Sequence, residues 1–188
     1  GSPRDEVNPD ETAGRAQASS VGRRSTPDAI TYRTGDATCP EDAGPRIIAH
    51  VCNDAGKWGA GFVLAVSRRW KQPEQEYRRA FANGRGLRLG EVQFVVVDRD
   101  MTVANMVAQH GVRRRGSTPP IRYDALRAAL TEVARFALGQ GASVHMPRIG
   151  CGLAGGNWED VSAIIAETLG DQRVPVTVYD PPGQSPTC

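Results

Sequence analysis

Apolar residues along the chain switch repeatedly between the close alternation of a strand and the three-and-four spacing of a helix. Ile30–Thr34 reads as a short strand ending at Gly35-Asp36, and residues 46–52, with Ile47, Ile48, Ala49 and Val51, as a buried one. Residues 62–70 have helical spacing, and 74–82 resume it after a break at Pro73. Residues 91–98 and 102–108 are β-rich and are separated by Arg99-Asp100-Met101, the pattern of a hairpin. A helix over 123–138 places Leu126, Leu130, Val133 and Ala137 on one stripe and Arg127, Glu132 and Arg135 elsewhere, with Gly139 and Gly141 to end it. A strand at 143–149, a helix at 157–169 capped by Asn157 and stopped at Gly170, and a strand at 174–179 complete the series. The alternation predicts a three-layer α/β/α sandwich around a roughly six-stranded sheet, which the hairpin makes mixed.

Outside that series the pattern fails. Residues 1–28 are rich in Pro, Gly, Ser, Ala and mixed charge, with Val7 and Val21 as their only sizeable apolar side chains. Such a stretch buries too little to offset its ordering entropy, and a disordered arm is expected. The Pro/Gly/Ser-rich residues 181–188 are expected to form a loose tail, leaving one domain over 29–180.

Composition narrows the function classes. The 188 residues are 39% hydrophobic and 23% charged, as in a folded domain. No run approaches the roughly 18 apolar residues of a membrane helix, so no membrane partner is expected. A formal charge of +2 is too small for a protein that coats nucleic acid. Nearly all the basic residues are arginine, leaving Lys57 and Lys71 for any chemistry that needs a lysine. Cysteines at 39, 52, 151 and 188 and histidines at 50, 110 and 145 show no metal-ligand spacing. A reduced, cytoplasmic monomer with free thiols and no metal or cofactor is the expectation.

Two glycine-rich segments each follow a predicted strand. Asn53-Asp54-Ala55-Gly56-Lys57-Trp58-Gly59-Ala60-Gly61 leaves one, and Pro147-Arg148-Ile149-Gly150-Cys151-Gly152-Leu153-Ala154-Gly155-Gly156-Asn157-Trp158 leaves the other. Without a Cβ, backbone N–H groups can approach an anion, and a following helix adds its positive end. Either loop alone could serve only turns and packing; a pair at strand ends suits a diphosphate. The stretch from Gly150 to Gly155 also matches the G-x-G-x-x-G dinucleotide fingerprint, with Asp180 where a ribose-binding acid would stand. That fingerprint opens a half-domain of several strands, however, and here one strand follows.

These segments resemble macrodomains. Pro147-Arg-Ile-Gly-Cys-Gly-Leu153 followed by Asn157-Trp158-Glu159 looks like the macrodomain phosphate loop. Ile30-Thr-Tyr-Arg-Thr-Gly-Asp36, Ala49-His50, Gly59-Ala-Gly61 and Val176-Thr-Val-Tyr179 match in order, covering about residues 29–180. The pattern is most similar to the branch of the terminal ADP-ribose glycohydrolases and a chromatin remodeller, with a bacterial member expected here.

The resemblance implies a macrodomain sandwich that binds ADP-ribose, free or on a modified protein, with ADP-ribosylated nucleic acid as a further partner. Asp36 matches the acid that takes the adenine amino group, or else serves only as a cap. Gly59, Ala60 and Gly61 match the first phosphate loop, and Gly150, Cys151, Gly152 and Leu153 the second. Asn53 and Lys57 fall near the distal ribose. Hydrolases of the branch use a strand-end lysine and a loop aspartate, whose positions are Gln109 and Ala154 here, so the lysine-adduct route is not expected. The expected activity is de-ADP-ribosylation by a water-dependent hydrolase, with acidic side-chain esters as substrates and Asn53, Asp54 and Gln109 as catalytic candidates. A non-catalytic reader and an ADP-ribose 1''-phosphate phosphatase are the alternatives. Arg113, Arg114, Arg115 and Arg122 form either a solvated loop or a positive rim for an acidic partner.

Overall fold

The computed structural model describes residues 29–183. The expected arm over 1–28 lies outside the described residues, as does the tail beyond residue 183. In chain order the elements are β1 (Ile30–Thr34), β2 (Arg46–Asn53), α1 (Phe62–Arg69), α2 (Gln72–Ala82), β3 (Val92–Asp98), β4 (Met101–Gln109), α3 (Tyr123–Gln140), β5 (Ser143–Met146), α4 (Trp158–Ile165) and β6 (Val176–Asp180). A π-helical turn, Ala166–Gly170, continues α4.

The strands form one six-stranded sheet in the order β1-β6-β5-β2-β4-β3. Every neighbouring pair is parallel except β3 and β4, the predicted hairpin. Side chains alternate across the sheet. In β2, Ile47 and Ala49 join a core with α3 and α4 that includes Leu126, Leu130, Val133, Val161 and Ile165. Ile48 and Cys52 face the opposite way, onto Val63 and Val66 of α1 and Tyr77 of α2. The expected three-layer sandwich with a mixed sheet is therefore what forms.

This topology places the loops. β5 and β2 are neighbours, so their C-terminal ends lie side by side. The chain leaving β2 packs its helices on one face, and the chain leaving β5 packs α4 on the other. A crevice opens where successive connections part to opposite faces.

Element boundaries differ from the pattern where proline or glycine intervenes. β5 stops at Met146 rather than reaching 149, since Pro147 has no ladder donor and the Ile149 amide turns back to its carbonyl at 2.7 Å. Pro73 sits in the first turn of α2 and starts that helix. α3 runs through Gly139 and ends at Gly141, whose φ of 62° supplies the left-handed cap. Cys52 and Cys151 are free thiols, whereas Cys39 takes part in a disulfide; the expectation of free thiols throughout is corrected at this position, on which cysteine spacing carried no signal.

Leu130 has no exposed surface and lies at the centre of the larger core. Leu130→Ala is expected to cost about 2–5 kcal/mol of unfolding free energy, read from urea denaturation. A cost under about 1 kcal/mol would show that this core yields to fill the space.

Candidate anion-binding cleft

Two adjoining cavities of about 310 and 190 Å³ lie over the C-terminal ends of β2, β4 and β5. They share Val51, Ala60, Val63, Gln109 and Leu153 in their walls and so make one cleft. Cys52, Asn53, Lys57, Trp58, Gly59 and Val112 complete the larger part; Gly61, Arg148, Gly150, Gly152 and Ala154 are in the smaller. Among the described residues, no carboxylate lines either part.

The glycines explain how the walls are made. Gly61, at the N-cap of α1, has φ 86° and ψ −139°, a conformation essentially restricted to glycine. In the second loop the Gly156 amide donates to the Gly150 carbonyl at 2.7 Å, and a Cβ on Gly156 would lie 2.4 Å from that oxygen. With both loops held in these turns, the amides of Gly59, Ala60 and Gly61 and of Gly150, Cys151, Gly152 and Leu153 have no hydrogen-bond partner among the described residues. Two sets of unsatisfied donors border a cleft that no carboxylate of the described residues lines, an arrangement that favours a bound anion.

The first loop is braced from below. Asn53 Oδ1 accepts from the amides of Ala55 (3.0 Å) and Lys57 (3.2 Å) and from the Tyr77 hydroxyl (2.8 Å), while its Nδ2 donates to the Lys57 carbonyl at 2.6 Å. Asn53 thus shapes the loop while lining the cleft. Trp58 is buried, and its ring N–H donates to Ser67 Oγ at 2.7 Å, which donates on to Glu74.

Asp54 does not line the cleft. One carboxylate oxygen is 2.7 Å from His110 Nδ1 and the other accepts the Gly111 amide at 2.8 Å; its own amide donates to the Gln109 carbonyl. Burial alone would raise this carboxyl, but the Gly111 and His110 hydrogen bonds and the His110 charge outweigh it and hold it below its usual value. Asp54 therefore clasps the loop that carries Gln109, whose side chain borders both cavities.

Asp36 caps the turn after β1: its Oδ1 accepts from the Thr38 amide (2.8 Å) and hydroxyl (2.7 Å), and it lies outside both cavities. Cys151 is half-buried, outside the cavity walls, and burial raises its thiol pKa, so it is not poised as a thiolate. Trp158 lines neither cavity, and the Arg148 guanidinium sits over its ring and that of Tyr32, 5.0 and 5.3 Å from the ring centres. Asp180 accepts both arms of Arg148, at 2.6 and 3.0 Å.

The sequence pattern gave no role to His50, which borders the smaller cavity from the middle of β2. Its Nε2 lies 2.6 Å from Asn105 Oδ1, and the Asn105 amide nitrogen is committed to the Pro73 carbonyl and Gln93, at 3.1 and 3.2 Å. Nε2 must then carry the proton, leaving Nδ1 a buried acceptor without a partner. A lone histidine in an otherwise apolar strand was the available signal. His110 and Val112 were likewise unmarked.

No family model matches the chain. A solved macrodomain protein from Streptomyces coelicolor is 51% identical, with a TM-score of 0.71, over 80% of this chain and 98% of that one. The chain belongs to the macrodomain family. Chromodomain-helicase-DNA-binding protein 1-like from Danio rerio is 32% identical over 80% of this chain, which spans only 15% of that protein's length. ADP-ribose glycohydrolase OARD1 from Bos taurus is 28% identical, and the match covers 89% of this chain and 98% of that protein. In this macrodomain Gly59, Gly61, Gly150 and Gly152 line the cleft, with Gln109 and Ala154 in the same walls.

Two buried histidines give the fold a pH signature. Burial lowers His50 to about 4 against the opposing Asn105 hydrogen bond, and burial lowers His145 to about 4 as well. From the ordinary value of 6.5 down to about 4, the unfolded chain binds protons that the folded chain refuses. Stability is thus fully present above pH 6.5 and is lost as pH falls, by up to about 3 kcal/mol per histidine. Urea denaturation across this window should show the decline; a flat profile between pH 6.5 and 5 would mean the rings titrate normally in the fold.

Proposed function

We propose that this macrodomain binds ADP-ribose in the cleft and acts as a hydrolase removing mono-ADP-ribose from modified macromolecules, esters of acidic side chains foremost. The unpartnered amides of the two loops that line the cleft carry this reading, since a diphosphate is the part of the ligand that would satisfy them. The larger cavity, with Asn53, Lys57 and Gln109, then receives the distal ribose. Asp36 lies beyond the opposite end and takes the adenine amino group through the carboxylate oxygen its cap leaves free.

The chemistry follows from what surrounds the anomeric carbon. Water adds its oxygen to that carbon, the bond to the ester oxygen breaks, and the carboxylate leaves with the electron pair while a proton passes to solvent. The leaving group is good, so positioning supplies much of the rate. Gln109 hydrogen-bonds the water or the ribose, and Asp54 positions Gln109 through the backbone of 109–111. The relationship to OARD1 supports a hydrolase. The replacements at Gln109 and Ala154 support a second reading, a module that holds ADP-ribose and cuts nothing.

Gly152 is the cleanest probe of the cleft. An added Cβ there meets nothing within 4 Å, so Gly152→Glu should fold normally and place a carboxylate where the diphosphate lies. Titration calorimetry should show ADP-ribose affinity lowered on the order of a hundredfold by the like charge, with the melting temperature unchanged. Unaltered affinity would remove the diphosphate from this loop.

Incubation with proteins modified on glutamate or serine, and with modified nucleic acid, separates the two readings. Release of ADP-ribose from the glutamate ester is expected, and Gln109→Ala should slow it about tenfold to a hundredfold while ADP-ribose affinity holds. Release from none of the substrates would leave the reader.

A further inference from the structure

We infer that the arginine loop between β4 and α3 is a docking surface for an acidic polypeptide segment, the part of the substrate that carries the modification. The inference rests on the ADP-ribose reading of the cleft. With the adenosine toward Asp36, the macromolecule attached at the distal ribose must leave past the larger cavity, whose wall includes Val112 and Leu153. Arg113, Arg114 and Arg115 follow Val112 directly, and all are exposed.

The loop is built to present them. Arg115 and Thr118 exchange both backbone hydrogen bonds at 3.0 Å around Gly116, whose φ is 61°. Arg114 donates to the Ser117 carbonyl at 3.0 Å and reaches the second glycine loop, where its guanidinium lies 3.3 Å from the position a Cβ on Gly155 would take. Arg122 does not belong to the surface, because its guanidinium is spent on the carbonyls of Pro119, Pro120 and Ile121. Elsewhere Arg33, Arg79, Arg127 and Arg148 sit against carboxylates; among the described residues none pairs with Arg113, Arg114 or Arg115. Asp54, which holds the same loop, is already taken by His110 and Gly111. Three consecutive cations at the mouth therefore await an anionic partner.

What stands beside them favours a polypeptide. Single-stranded nucleic acid sites join a positive groove to exposed aromatic rings on which bases stack. Here the exposed apolar residue at the mouth is Leu153, 73% accessible, and exposed Tyr32 is tied up with Trp158 and Arg148 at the other sheet edge. An aliphatic contact flanked by guanidinium groups suits a chain of acidic and apolar side chains.

The test uses ADP-ribose joined through a non-hydrolysable linkage to a peptide with acidic flanks, to a matched peptide with uncharged flanks, and to a single-stranded oligonucleotide. The parent protein should bind the acidic peptide about tenfold more tightly than the uncharged one at low salt, with the preference shrinking as salt rises. Arg113→Ser with Arg115→Ser should erase the preference and leave affinity for free ADP-ribose unchanged, while lysine at both positions should keep most of it. Equal binding of the two peptides, a preference that survives the double serine variant, or tighter binding of the oligonucleotide would each overturn the inference. Failure of free ADP-ribose to bind the parent protein would instead overturn the reading of the cleft, and the inference with it.

Discussion

Everything at the functional end of this molecule depends on the parallel pairing of β2 with β5. Two neighbouring parallel strands deliver their following loops to one edge of the sheet. Because those loops lead to helices on opposite faces, neither can fill the space between them. The glycines then convert that space into a chemical surface. Gly61 and Gly156 adopt turns that a side chain would strain or obstruct, and amides of both loops stay unpaired at the cleft. These donors sit on exposed and half-buried residues, open to water. An anion that accepts from both loops takes the place of that water, which ties recognition to backbone geometry more than to any one side chain.

The supporting layer is polar where a simpler core would be apolar. Below the first loop run Asn53, Tyr77, Trp58, Ser67 and Glu74, and below the cleft floor His50, Asn105 and Gln93. Such networks fix rotamers that apolar packing alone leaves adjustable. The unpaired Nδ1 of His50 is the one buried side-chain polar atom among the described residues without a partner. The residue itself borders the smaller cavity.

Periodicity made the framework legible. The stripe of Leu126, Leu130, Val133 and Ala137 and the apolar run of β2 are direct consequences of burial, and both elements lie where the pattern placed them. The glycine loops were legible because their residue type is dictated by local backbone shape. The ends of β5 and α3 were misplaced because a proline inside a run and a glycine inside a helix each admit two outcomes that tertiary context decides. The pair of Asp54 and His110 was beyond reach for a different reason. Its members are 56 positions apart in sequence, and only the pairing of β2 with β4 brings them together. Asp36 shows the same limit, since the pattern could not tell a cap from a ligand contact, and the structure shows a cap that uses one carboxylate oxygen and leaves the other.

Gln109 and Asp54 together define what this cleft can do without a lysine. A glutamine amide offers both a donor and an acceptor, but it neither forms an imine nor takes a proton at neutral pH. Its contribution is therefore orientation, and orientation is only as good as the backbone beneath it. Here Asp54 holds that backbone at two points, accepting from the amide of Gly111 and donating its own amide to the Gln109 carbonyl, while His110 restrains its other oxygen. The clasp therefore ties the first glycine loop to the end of β4 that carries Gln109. A site of this kind gains rate by holding water, sugar and leaving group in line, and its substrates should be those whose leaving groups need no protonation. Esters of acidic side chains meet that condition, so on the proposed hydrolase reading the absence of a lysine and an aspartate narrows the chemistry to such leaving groups.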